Sequence, residues 1–163
     1  QIKKKTRVIV TSSPEKKELD KAKKILELCK SNPLELLGKT SLNQLSALSK
    51  RANLFFGVDS APMHIAAAVD TPVIALFGPS GAFHWGPWDN NYSSEFGVRS
   101  SELKNPYSRK NGTQTFGKHT VIQKDWDCVP CGKDGCKGSK ISDCLLDIGV
   151  GEVIDIIGKY LRN

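Results

Sequence analysis

The sequence predicts an α/β protein with a mostly parallel sheet flanked by helices, and three observations lead there. Two apolar runs of strand length, Leu54-Phe55-Phe56 with Val58 and Val73-Ile74-Ala75-Leu76-Phe77, are near-continuously hydrophobic, as parallel strands covered on both faces are. Between them the polar turn Asp59-Ser60-Ala61-Pro62 opens a short alanine-rich helical run over 63–69. Upstream, another strand and helix repeat the same order, and strands alternating with helices build parallel sheets.

Each element has a local cause. The β-branched run 7–11 reads as a strand, and Ser12-Ser13-Pro14 suits a helix start. Leu19, Ala22, Ile25, Leu26 and Cys29 then recur at helical spacing, with the lysines mostly off that stripe, so an amphipathic helix runs to about Ser31-Asn32-Pro33 and Cys29 faces the core. Residues 34–37 form a short strand. Ser41 and Gln44 have capping-box spacing and open a helix over 42–50. Gly38-Lys39-Thr40 is not a phosphate loop, because Pro33 occupies the position of the glycine that the motif requires. Ser60 is a good N-cap for the alanine-rich helix, and Pro62 is tolerated in its first turn. Trp85-Gly86-Pro87-Trp88 forms a loop that either closes over a ligand or covers the sheet edge. The polar stretch 89–118 is predicted irregular apart from a strand at 96–99, and a further strand follows at 121–124. Val150, Val153, Ile154, Ile157 and Leu161 mark a closing amphipathic helix.

Composition bounds the function. A chain of 163 residues with 39% hydrophobic and 25% charged residues is a globular mix of single-domain size. No run approaches the roughly 18 apolar residues that span a bilayer, and no apolar signal segment follows the basic start, which predicts a cytoplasmic setting. The formal charge of +7 favours anionic partners: nucleotide phosphates, nucleic acid or an anionic membrane surface. Five cysteines without a secretion signal suggest reduced thiols or a metal before disulfides, and four of them, Cys128, Cys131, Cys136 and Cys144, are clustered. The strand-to-helix turn at Asp59-Ser60 is the candidate site, since a helix N-terminus at a strand's carboxyl end presents backbone N–H groups and partial positive charge.

Taken together, Asp59 to Ala68, Pro72, Leu76-Phe77-Gly78-Pro79 and Trp85-Gly86-Pro87-Trp88 resemble the donor-binding half of the ADP-heptose:lipopolysaccharide heptosyltransferases, glycosyltransferase family 9. The cysteine-containing segment from Asp125 to Cys136, with Ile141-Ser142-Asp143-Cys144-Leu145, is most similar to the heptosyltransferase III branch. The resemblance implies a GT-B enzyme, two Rossmann-like domains facing across a cleft, of which this chain would be the C-terminal half. It implies inverting transfer of heptose from ADP-heptose to the lipopolysaccharide inner core on the cytoplasmic side of the inner membrane, in peripheral contact with anionic lipid. The acceptor-binding domain, its general-base aspartate and the first strand–helix unit of the donor domain would precede residue 1, so the chain by itself is expected to be inactive.

The resemblance also implies residue roles. Ser60, the main chain at Ser60 and Ala61, and His64 would hold the donor diphosphate, with His64 stabilising the leaving group. Asp59 would orient the turn or a sugar hydroxyl. Thr40 would lie where relatives meet the adenine, and Lys16 where some relatives carry an acidic donor contact. Ala61 replaces a glycine common in relatives, which requires a negative φ there. No cofactor is implied beyond the donor substrate, and a structural zinc on the four clustered cysteines is kept as a candidate. The competing readings are a zinc-stabilised nucleic-acid-binding module and a nucleotide-sugar binder without catalysis. RNA-binding aromatic motifs are absent, which favours the enzyme reading without nucleic acid.

Overall fold

The computed structural model describes residues 6–91 and 106–162, so the strand expected at 96–99 lies outside the described residues. The chain divides into two compact units, Gln1–Ala47 and Leu48–Asn163.

In the first unit, β1 (Ile9–Ser12) and β2 (Leu34–Leu37) pair in parallel with Ile9 opposite Leu34, and α1 (Lys16–Leu28) connects them. The helix begins two residues later than Pro14 suggested, with Glu15 as N-cap, and it ends before Cys29. That corrects the reading of Cys29 as a core residue: it is the C-cap and exposed, because the chain turns to an extended conformation there. The apolar stripe is also only partly covered in the described chain, with Ala22 buried and Ile25 exposed. At α2 (Leu42–Lys50) the capping box forms as expected: Ser41 N donates to Gln44 Oε1 at 2.9 Å and Gln44 N to Ser41 Oγ at 3.3 Å.

The second unit holds a four-stranded sheet in the order β3-β4-β6-β5, from β3 (Phe55–Val58), β4 (Val73–Leu76), β5 (Gln114–Phe116) and β6 (His119–Ile122). β3, β4 and β6 are parallel, whereas β5 turns back on β6 as an antiparallel hairpin. The stretch predicted irregular therefore contains a strand. Gly117, at φ +53°, makes the tight reversal, and β6 starts two residues earlier than the apolar run suggested, at His119.

β4 carries the core. Val73, Ile74 and Ala75 are fully buried, and burying a Val or Ile side chain is worth roughly 1.5–3 kcal/mol. α3 (Ala61–Ala68) packs Met63, Ala66 and Ala67 into the same cluster, where methyl side chains let the helix lie close to the sheet. Beyond β4 comes a single helical turn, α4 (Ala82–Trp85), where a loop was expected. Both tryptophans reach solvent, Trp85 more than Trp88, which packs one ring face on Phe116 with centroids 5.6 Å apart. Two further helices close the chain, α5 (Asp143–Leu146) and the expected α6 (Val150–Leu161), the latter tied to the hairpin by Thr120 Oγ1 to Tyr160 Oη at 2.8 Å.

Two buried polar residues lie beside the β5–β6 turn. Asp89, 6% exposed, accepts hydrogen bonds from Lys118 N and Asn91 N, both at 3.0 Å. Burial pulls its pKa up, but the amides of Lys118 and Asn91 and the charge of Lys118 outweigh it and hold the carboxyl below its ordinary range. His119 is fully buried, and chiefly for that reason its imidazole is held below its usual range, with Asp89 opposing. Neither ring nitrogen makes a hydrogen bond of good geometry, and the Trp88 main chain opposes the downward shift without reversing it.

Two outcomes follow from this packing. A Cβ on Gly86 would stand 2.2 Å from Tyr107 Cε2 and 2.7 Å from Ala82 O, displacing the ring whose hydroxyl donates to Pro87 O. Gly86→Ala should therefore cost about 1–3 kcal/mol in urea denaturation. Asp89, with its folded pKa depressed, contributes stability that is present above the unfolded aspartate range and lost as pH falls through the folded value. Asp89→Asn should be less stable than wild type at neutral pH, and the gap should narrow on acidification below about pH 4; a gap independent of pH would contradict the assignment.

Candidate functional site

The candidate site lies at the carboxyl ends of the parallel strands in the second unit. Leu76 pairs with Val58 on one side and Ile122 on the other, so Asp59, Phe77 and Gln123 leave the sheet at the same edge. Two main-chain bonds extend the ladder by one step, Asp59 N to Leu76 O at 3.1 Å and Phe77 N to Ile122 O at 2.9 Å. A crevice outside strand carboxyl ends is where open α/β sheets bind ligands.

From β3 the chain passes into α3 through Asp59 and Ser60. Ser60 takes the N-cap position with extended backbone, φ −166° and ψ 165°, but its side chain makes no capping hydrogen bond. Its hydroxyl instead donates backward to Val58 O at 3.1 Å. The expected cap is thus present in position and absent in function, which leaves the first turn of α3 without side-chain cover. Pro62 sits in that turn, where its missing N–H costs nothing. Ala61 is the first residue of the helix, and the non-glycine residues with positive φ among the described residues are Asp70, Lys137 and Lys140. Alanine at position 61 is accordingly unstrained. His64 follows one turn into α3, with its side chain exposed, while Asp59 and Ser60 are half-buried.

The sequence-predicted residues divide between the units. Asp59, Ser60, Ala61 and His64 come together at one helix start in the second unit. Lys16 and Thr40 belong to the first. Lys16 is exposed at the start of α1, and its ammonium is paired with Asp20 at 2.7 Å; Thr40 is half-buried and immediately precedes the capping box of α2.

One residue that sequence reasoning missed shapes the same edge. Gln123, 2% exposed, donates through Nε2 to Gly78 O at 2.9 Å and Ser80 O at 2.7 Å, fixing the loop that leaves β4. The signal was a polar side chain closing an apolar strand, but its partners are over 40 positions away in sequence. The four clustered cysteines follow this strand. Cys131 N and Gly132 N both donate to Pro79 O, at 3.0 and 2.9 Å. Cys144 is buried, Cys136 half-buried, and Cys128 and Cys131 exposed. Burial, then the thiols of Cys136, Cys131 and Cys128, raise the Cys144 pKa. Among the described residues, no three His, Cys, Asp or Glu side chains stand in metal-coordinating geometry.

Comparison with known proteins sets this geometry in context. Residues 1–113 match glycosyltransferase family 9 (heptosyltransferase). The chain is similar to lipopolysaccharide heptosyltransferase 3 of Escherichia coli, 48% identical over 85 residues, covering 52% of this chain and 25% of that protein. It is also 40% identical over 113 residues to lipopolysaccharide core heptosyltransferase OpsX of Haemophilus influenzae, covering 63% of this chain and 32% of the relative. The chain thus spans between a quarter and a third of the length of these two relatives. Two solved structures share the fold over 96% of this chain and 36% of their own length. They are E. coli ADP-heptose lps heptosyltransferase II, with TM-score 0.60 and 22% identity, and a family 9 glycosyl transferase from Veillonella parvula, with TM-score 0.64 and 21% identity.

The starts of α2 and α3 predict unequal losses on removing a serine hydroxyl. Ser41→Ala removes a formed capping box and should cost about 1 kcal/mol. Ser60→Ala removes no cap and should cost at most about 0.5 kcal/mol by denaturant unfolding. Equal losses at both positions would show that Ser60 caps α3 after all.

Proposed function

Because this chain belongs to glycosyltransferase family 9, the heptosyltransferases, we propose that it is the ADP-heptose-binding part of an enzyme that transfers heptose, with inversion, to the lipopolysaccharide inner core. The observation that carries the reading is the uncapped start of α3 at the carboxyl edge of the sheet, with His64 one turn behind it. A diphosphate laid there meets the partial positive charge of the helix terminus and first-turn N–H groups, and the Ser60 hydroxyl joins them on turning from Val58 O. Asp59 then orients the turn or a sugar hydroxyl. Its carboxylate would be repelled by phosphate oxygens, so direct phosphate contact is the less favourable use. The roles of Thr40 and Lys16 rest on the family resemblance alone.

In an inverting displacement, the acceptor hydroxyl attacks the anomeric carbon from the face opposite the departing phosphate. A residue bound to the phosphate therefore cannot remove the acceptor proton. His64, on the donor side, is assigned to the leaving ADP, stabilising charge as the glycosidic C–O bond breaks. The general base is assigned to an acceptor-binding domain outside this chain, and the chain alone binds donor without turning over. No cofactor enters this scheme. Among the described residues no helix is long and apolar enough to cross a membrane, and the net charge of +7 accords with peripheral contact with anionic lipid on the cytoplasmic face.

Titration with ADP, ADP-heptose and a short RNA tests the binding reading. Saturable binding of both nucleotides is expected, without sugar transfer; RNA binding with no response to ADP would establish the nucleic-acid module instead. In the enzyme carrying this segment joined to its acceptor domain, His64→Ala should lower turnover roughly tenfold to a thousandfold with the fold intact. Asn at position 64 should recover part of that loss. A donor with a much better leaving group should be far less affected, and equal impairment with such a donor would remove His64 from the leaving-group role.

A further inference from the structure

Three sides of α1 differ in chemistry. Leu19, Ala22 and Leu26 share one, where Ala22 is buried and the two leucines are half-buried. Lys16, Asp20, Lys23 and Glu27 share the next, on which charges of both signs are mixed and Lys16 pairs with Asp20 at 2.7 Å. The last side carries Lys17, Lys21, Lys24 and Leu28 at positions i, i+4, i+7 and i+11, with Ile25 beside them. All five are exposed, Leu28 at 83% and Ile25 at 56%. Glu18, at the margin, pairs with Lys21 at 2.9 Å, whereas Lys17 and Lys24 make no ion pair among the described residues. Lys30, also exposed, follows one residue after the helix C-cap.

A single exposed leucine is ordinary on a protein surface. Here two large aliphatic side chains stand in solvent within a row of three lysines, and that combination suits one kind of partner. We propose that this side of α1 lies on an anionic lipid surface. Leu28 and Ile25 enter the boundary between headgroups and acyl chains, while the lysine stems lie along the apolar surface and their ammonium groups reach lipid phosphates. Each lysine held at such a surface strengthens binding roughly fivefold. The apolar area is small, so attachment is reversible and weakens as ionic strength rises. Nucleic acid fits the face less well. It offers no aromatic ring to stack on a base and no arginine for two-pronged phosphate contact, and Leu28 gains nothing against a phosphate backbone. The inference rests on the peripheral lipid contact proposed above and gives that contact a surface.

Cosedimentation of the full chain with phosphatidylcholine vesicles, with and without about a third phosphatidylglycerol, tests it. Binding is expected only to the anionic vesicles. The triple variant Lys17→Gln/Lys21→Gln/Lys24→Gln should lower the partition coefficient at least tenfold. The control Lys50→Gln/Lys133→Gln/Lys159→Gln removes the same charge from exposed positions elsewhere and should lower it no more than about threefold. Leu28→Asn should weaken binding at least threefold, and Leu28→Trp should strengthen it, because indole favours the lipid–water interface. Circular dichroism checks the fold of each variant. Equal losses in the two triple variants, with no response at Leu28, would overturn the α1 surface while leaving the peripheral contact standing. Failure of the unsubstituted chain to bind anionic vesicles at about 0.1 M salt would overturn both. Tighter capture of a short RNA than of vesicles, lost in the α1 triple variant, would make the face a nucleic-acid contact and overturn the lipid assignment.

Discussion

The level carboxyl edge of β3, β4 and β6 is the constraint on which the rest of the second unit depends. Parallel strands have no hairpin to fix their register, so their relative height is set by the ladder and by what packs on either face. Here the ladder runs one residue past the assigned strands, through Asp59 N to Leu76 O and Phe77 N to Ile122 O. A slip of one residue would turn Val73 and Ala75 out of the cluster they share with Met63 and Ala66, and would carry Asp59 and Gln123 away from a common edge. Core packing and site geometry are therefore fixed by the same register.

A second consequence concerns the start of α3. A serine that capped this helix would satisfy a first-turn N–H and compete with any anion. By bonding to Val58 O, Ser60 keeps the chain reversal tight while leaving the helix terminus uncovered. The start of α2 is the contrasting case, in which Ser41 and Gln44 satisfy each other's main chain. Both helices follow a serine, and they differ in what the terminus is left free to bind.

The loop leaving β4 is held from below and from beside. Gln123 takes the carbonyls of Gly78 and Ser80, while Cys131 and Gly132 take that of Pro79, so three consecutive carbonyls are occupied by the chain that follows β6. Accounting for each of these acceptors explains why a polar glutamine is buried at the end of an apolar strand: its amide replaces water at carbonyls that the sheet edge has enclosed. The C-terminal segment is thereby coupled to the site's rim, although it contributes no regular strand of its own.

The sequence by itself determined the α/β class, the capping box at Ser41, the strands flanking Asp59 to Ala68 and the terminal amphipathic helix, because each rests on local patterning that tertiary contacts reinforce. The motif at 59–64 was legible for the same reason, since strand, turn and helix are contiguous and the four residues come together within one turn. Only the tertiary structure decided the rest. Whether Ser60 caps or turns back depends on rotamer and neighbouring carbonyl, not on residue type. The β5–β6 hairpin was hidden in a polar stretch because its burial comes from Trp88 and Tyr107, which pack on Phe116 from earlier in the chain. Cys29 matched a helical stripe, but the helix stopped one residue short of it. Gln123 could be noticed only as a polar end to an apolar strand, and nothing local marked Asp89, since the Gln123 partners and Lys118 are distant in sequence and a polar residue becomes obligatory only where folding has buried a main-chain group that needs it.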